Sequence, residues 1–135
     1  MTIHTEQIDH PEVIAEIQAI FAAYERDFMR NDVEPLLAHF WADERLTRYG
    51  IADRQFGMAQ QRAYREATPA PTFTRRLENL RIHAFGPDTA VALVEFVRSD
   101  TALRGFQSQT WVRMAEGWRI VSAHVSMIAW ADAAA

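Results

Sequence analysis

Arg104-Gly-Phe-Gln-Ser-Gln-Thr-Trp-Val-Arg-Met-Ala-Glu-Gly-Trp-Arg-Ile-Val-Ser-Ala-His-Val-Ser-Met-Ile128 is a long run of strand-forming residues broken only at Glu116-Gly117. It reads as two strands, about Arg104–Met114 and Trp118–Trp130, joined as a tight hairpin. If Glu116 and Gly117 are the two turn residues, Gln109 lies opposite His124, Gln107 opposite Ser126 and Trp111 opposite Ser122. These six then share one sheet face, while Val112, Val121, Ala123 and Val125 share the other. A one-residue slip in register would scramble this sorting.

Upstream, Phe73–Phe85 and Thr89–Ser99 read as two more long strands that turn at Gly86-Pro87-Asp88. Before them comes a helix of about Met58–Ala67, introduced by Gly57 and closed by Pro69-Ala-Pro71. Two short extended runs, Leu46–Ile51 and Arg54–Phe56, precede it. Asn31-Asp32 caps a helix from about Val33 to Trp41, with Pro35 in its first turn and Leu36, Leu37, Phe40 and Trp41 on its buried side. The first helix is entered at Asp9-His10-Pro11-Glu12. Along it Val13, Ile17, Ile20, Phe21, Tyr24 and Phe28 recur at helical spacing as one apolar stripe. The order helix, helix, hairpin, helix, then four antiparallel strands implies an α+β domain. Its curved antiparallel sheet wraps around three helices and leaves a cavity at the open end of a cone. Residues 1–135 are expected to form a single domain, with a disordered Ala-rich tail from about 131.

A chain of 135 residues, 49% hydrophobic and 24% charged, has room for one substantial core. Its net charge of −4 offers no footprint for nucleic acid or an anionic membrane. Arg75, Arg76 and Arg81, interrupted by Glu78, read as a solvated strand face. No stretch approaches the roughly 20 apolar residues of a membrane span. Met1-Thr-Ile-His-Thr-Glu-Gln-Ile8 lacks a basic segment followed by an apolar run, so the expected compartment is the cytoplasm. The absence of cysteine excludes disulfides, thiolate metal sites and thiol nucleophiles. The five histidines show no His-x-His or His-Glu-x-x-His spacing, and the five glycines form no phosphate-binding loop. Ser108, Ser122 and Ser126 sit in strands, away from any nucleophile-elbow context. No metal and no cofactor are expected.

Polar side chains on an inward face mark a candidate site, because burying them is costly unless something satisfies them. Tyr24 lies on the apolar stripe of the first helix, where its hydroxyl needs a partner; a packed tyrosine with a satisfied hydroxyl is the competing reading. Arg48 alternates with Leu46 in a short strand, a hint that it points inward, although that pattern alone favours a surface arginine. Gln107, Gln109, Trp111 and His124 from the hairpin, with Glu95 among Val91, Leu93 and Val97, would line a pocket on a concave sheet. A solvated or dimer-forming sheet face would show the same pattern.

Five motifs in order, Phe40-Trp41-x-Asp43, Arg48-Tyr49-Gly50, Gln107-Ser-Gln-Thr-Trp-Val-Arg113, Glu116-Gly-Trp-Arg-Ile-Val121 and Ala123-His-Val-Ser126, carry a resemblance. From about Pro11 to Ile128 the chain resembles the AtzH-like branch, which includes oxalurate-catabolism proteins of the HpxZ type, of the nuclear-transport-factor-2-like (SnoaL-like) superfamily. That resemblance implies a small cytoplasmic homodimer whose genes accompany amidases of nitrogen catabolism. It implies a hydrolase that removes a terminal carboxylate from dicarboxyurea to give allophanate. The family's catalytic pair falls on Tyr24 and Arg48, with Arg48 anchoring a carboxylate and Tyr24 donating a proton. Trp41, Glu95, Gln107, Gln109, Trp111 and His124 are the candidate substrate-binding residues. A non-catalytic binding protein serving a partner amidase is the alternative. An isomerase or dehydratase would call for a carboxylate base or a His–Asp dyad in an apolar cavity, whereas this cavity reads as rich in amide side chains.

Overall fold

The computed structural model describes residues 2–131. After a 3-10 turn at Thr5–Gln7 come α1 (Pro11–Arg30), α2 (Val33–Leu37), β1 (Thr47–Tyr49), β2 (Arg54–Phe56) and α3 (Met58–Ala67). Four long strands follow: β3 (Arg75–Ala84), β4 (Thr89–Arg98), β5 (Arg104–Met114) and β6 (Gly117–Ile128). The helix-helix-hairpin-helix-sheet order is the one the turn signals imply. The tail expected to be disordered lies, from 132 on, outside the described residues.

Pro11 starts α1, where its missing N–H costs nothing, and Asn31 ends it in the left-handed conformation with φ 45°. The Asn31 amide then donates to the Thr68 carbonyl at 2.6 Å, which ties the end of α1 to the end of α3. Val13, Ile17, Phe21 and Tyr24 of the α1 stripe are buried against Leu36, Phe40, Leu46 and the inner sheet residues Ala92, Val94, Trp111 and Ile120. The helix expected to reach Trp41 stops at Leu37. Beyond it the chain extends beside β6, where the Trp41 N–H donates to the Ile120 carbonyl at 2.9 Å.

The six strands run in the order β2-β1-β6-β5-β4-β3. All neighbours are antiparallel except β1 and β6, which pair in parallel because the chain reaches this edge from α2 rather than from a hairpin turn. Phe96 on β4 packs flat over Gly105 on β5. A Cβ at Gly105 would come within 2.1 Å of the Phe96 ring, so only glycine fits beneath it.

The last hairpin departs from the expected register. Met114 pairs with Gly117, so Ala115 and Glu116 form the turn, and Gly117 takes φ +119°. Trp111 pairs with Ile120, but the next pair is Thr110 with Ser122, so Val121 is an extra residue accommodated by a bulge. Beyond it Gln109 faces Ala123, Ser108 faces His124 and Gln107 faces Val125. One residue of slip thus moves His124, Ser122 and Ser126 to the outer face, while Gln107, Gln109 and Trp111 stay inside with Val125. No helix among the described residues is long and apolar enough to cross a membrane.

Candidate functional site

The α3 sequence Met58-Ala-Gln-Gln-Arg-Ala-Tyr-Arg-Glu-Ala67 carries no apolar stripe, yet the helix packs inward against α2 and β2. Its buried positions are Gln61 and Arg65, one turn apart on a single face. Across from them β1 points Arg48 inward between the outward-facing Thr47 and Tyr49. β2 contributes Gln55 on the same inner side. β5 adds Gln107. These elements enclose a cavity of about 560 Å³ whose wall includes Arg48, Tyr64, Arg65, Arg75, Phe96 and Gln107.

Arg48 is 7% exposed and lies in the wall. Its Nη1 donates to Gln55 Oε1 at 2.9 Å, and Gln55 Nε2 in turn donates to Asp53 Oδ2 at 2.8 Å. A Cβ at Gly50 would lie 2.6 Å from Asp53 Oδ1 and 3.0 Å from Arg48 Nη1. Glycine in the Arg48-Tyr49-Gly50 motif is therefore what lets these groups approach over the backbone. The Arg48 and Arg65 guanidinium carbons lie 5.5 and 5.4 Å from the centre of the same Tyr64 ring. Neither meets a carboxylate among the described residues.

Arg65 is the most strained group electrostatically. It is 3% exposed, and its Nε and Nη2 have no hydrogen-bond partner; the same holds for Gln107 Nε2 and for both amide atoms of Gln61. Burial, followed by repulsion from Arg48, pulls the Arg65 guanidinium down to about 10, while the nearby Tyr24 phenol works in the opposite direction. Arg75, by contrast, is saturated. Glu25 accepts from its Nε and Nη2, both at 2.5 Å, and the guanidinium stacks between Phe28 and Phe96.

The candidate residues separate cleanly. Tyr24 is buried among Phe21, Phe28, His39 and Phe40, and beneath it His39 Nε2 lies 2.8 Å from Asp27 Oδ2. Its phenol adjoins the Arg65 guanidinium. Gln107 lines the cavity. Gln109 and Trp111 sit deeper, where the Trp111 Nε1–H donates to Gln109 Oε1 at 3.1 Å. Trp41 stands apart from the wall, with the Arg45 guanidinium 4.8 Å over its ring. Glu95 and His124 lie on the outer sheet face, His124 contrary to the hairpin register read from sequence and Glu95 contrary to the pocket-lining place given it on β4. There Glu95 accepts from Arg104 and Asn79, and His124 packs edge-on to Tyr49.

A shallow depression of about 590 Å³ covers that outer face. Of its charged residues Glu95 is paired and Arg81 is exposed to water, whereas the buried donors without a partner, on Arg65 and Gln107, line the inner cavity, so the inner cavity is the candidate site. Sequence reasoning missed Arg65, Gln61 and Gln55. The signal was available for the first two: a helix that must pack inward yet offers no apolar stripe has to present a polar inner face.

A curved six-stranded sheet carrying helices on its inner side defines the nuclear-transport-factor-2-like, or cystatin-like, class of α+β protein. Within that class the chain belongs to the AtzH-like family, which it matches over residues 6–131. It is 41% identical to a protein of unknown function of the DUF3225 family from Pectobacterium atrosepticum, with TM-score 0.91, covering 94% of this chain and 99% of that one. A cystatin-like fold protein from Burkholderia xenovorans is 42% identical, with TM-score 0.88 and coverage of 92% and 98%. A ketosteroid isomerase-like protein from Erwinia carotovora atroseptica, 16% identical at TM-score 0.70 over 88% and 98%, shares the fold alone. No curated protein matches the chain.

Proposed function

We propose that the protein is a cytoplasmic hydrolase of nitrogen catabolism that cleaves a carbon–nitrogen bond of a small carboxylated urea, as in the conversion of dicarboxyurea to allophanate. The observation that carries this reading is Arg48: a nearly buried guanidinium in a cavity wall, held by a neutral glutamine and no carboxylate. Its planar fork suits a carboxylate, and its charge persists at any working pH. Arg48 serves best by holding the carboxylate that stays, because gripping only the group that loses its charge would favour the ground state.

At the other end Tyr24 gives its proton to the urea nitrogen as the bond from that nitrogen to the departing carboxyl carbon breaks. The bonding pair remains on nitrogen, carbon dioxide leaves, and the phenolate regains a proton from water. Tyr24→Phe and Arg48→Lys are each expected to lower turnover of dicarboxyurea by about 100-fold or more. Wild-type rates in both variants would remove the assignment.

One observation favours a second reading. Tyr24 is 3% exposed and stands behind the cavity wall rather than in it. A binding protein that hands a carboxylated ligand to a partner amidase needs no accessible phenol. It predicts co-purification with that amidase and no turnover by the isolated chain. In either reading the chain works as a homodimer through the outer sheet face, where Tyr49, Leu93 and Ile128 remain exposed. Sedimentation as a monomer would remove that part.

A further inference from the structure

We infer that Arg65 and Gln107 form a second acceptor-binding subsite beside Arg48, so that the cavity takes a small ligand bearing a carboxylate at each end. The inference rests on the proposed function, whose dicarboxyurea is itself such a ligand, and adds the pair of residues that holds the second carboxylate. Arg65 Nε and Nη2 and Gln107 Nε2 are donors only, all three are buried, and none has a partner. They come from different walls, α3 and β5, and both residues line the cavity.

The two carboxylates of the cavity wall, Asp53 and Asp100, are already engaged, as is the Arg75 partner Glu25. Asp53 accepts from Gln55, Asp100 from Arg98, and Glu25 from Arg75. A monocarboxylate on Arg48 would leave Arg65 a buried, uncompensated charge, the costly arrangement for a guanidinium. A ligand with two carboxylates, flanking the Tyr64 ring that both arginines share, satisfies both forks.

The arrangement also suits the proposed bond cleavage. Negative charge leaves the carboxylate that this subsite would hold and arrives on the Tyr24 oxygen, which adjoins Arg65. The guanidinium therefore keeps a counter-charge throughout the step instead of stabilising the ground state alone.

The test is calorimetric binding of malonate, succinate, glutarate and acetate to the full chain. At least one dicarboxylate is expected to bind about tenfold or more tightly than acetate, the gain of a second set of charged hydrogen bonds. Arg65→Met is expected to abolish that preference and to raise the melting temperature of the ligand-free protein because an unpaired buried charge is gone. Should Arg65→Met not fold, Arg65→Gln decides the same question.

Equal binding of mono- and dicarboxylates by the wild type would overturn the inference. So would an intact preference in the Arg65 variant, which would leave Arg65 serving Tyr24 alone. Loss of turnover in Tyr24→Phe with the preference retained separates the two ideas: the subsite then stands whatever the chemistry. A wild type that turns over dicarboxyurea yet shows no dicarboxylate preference keeps the hydrolase and removes the subsite.

Discussion

The outer-face network around Glu78 and Glu95 and the inner cavity treat arginine in opposite ways. On the outer face Arg104 meets Glu95 at 2.6 Å and Glu78 at 2.5 Å, and Glu78 also receives Arg76 at 2.8 Å. In the inner cavity Arg48 is held by a neutral amide and Arg65 has two donors without a partner. The contrast is not one of burial alone, since Arg75 shares the cavity wall and is fully engaged by Glu25. Charges that serve the fold are paired from within the chain. Those left open are open to something from outside.

The largest effect is expected where that distinction is erased. Glu25→Ala would turn Arg75 into a third unpaired guanidinium stacked between Phe28 and Phe96. Breaking a largely buried pair by removing one partner costs about 3 kcal/mol or more. Urea unfolding reads this as a lower midpoint at unchanged slope. Added acetate should recover part of the loss if the freed guanidinium opens on the cavity. A change within the scatter of surface substitutions would show that Arg75 is solvated, and the contrast between paired and open arginines would lose its control.

On the outer face the expected effect is smaller. Arg104→Ala removes two contacts, but the carboxylates it releases, Glu78 and Glu95, are about 30% exposed and regain water. The loss should be small and should shrink with added salt. A loss as large as that of Glu25→Ala would make the outer network a structural core in its own right, and the network and the cavity would no longer differ in kind.

The same contrast explains what sequence could and could not disclose. Topology was legible because its punctuation is chemical: Gly86-Pro87-Asp88, Pro69-Ala-Pro71 and the Asn31-Asp32 junction stop elements where backbone geometry demands it. The alternation of Arg48 beside Leu46 hinted at its inward aim without deciding it against a surface arginine. The placement of His124 was not legible, because the bulge at Val121 carries no glycine or proline to announce it, and one extra residue reverses every side chain beyond it. Glu95 was misplaced for another reason: both alternating sets of β4, Val91-Leu93-Val97 and Ala92-Val94-Phe96, are apolar, so the pattern does not say which one faces inward. Arg65 escaped for a different reason. Periodicity searches look for apolar residues, and the buried face of α3 is polar.

The mildest prediction concerns Asp43, in the Phe40-Trp41-x-Asp43 motif, whose position outside the cavity implies a structural duty. Its Oδ1 accepts from the Arg45 side chain and from the Arg45 backbone N–H, each at 2.8 Å, while Arg45 covers the Trp41 ring. The Arg45 side-chain bond first, and then the backbone N–H, hold the Asp43 carboxyl down at about 2. Because the folded value is depressed, the contact helps the fold above the unfolded carboxyl value of about 3.9 and is lost as pH falls toward 2. The pair is exposed, so the effect on stability is slight and is best read on the group itself. A carboxyl-carbon chemical-shift titration should give a midpoint near 2 for Asp43. In Arg45→Gln it should rise but stay below the free value, since the backbone N–H still donates. An Asp43 that titrates like a free aspartate would detach this motif from the turn it holds and reopen a ligand role for Trp41.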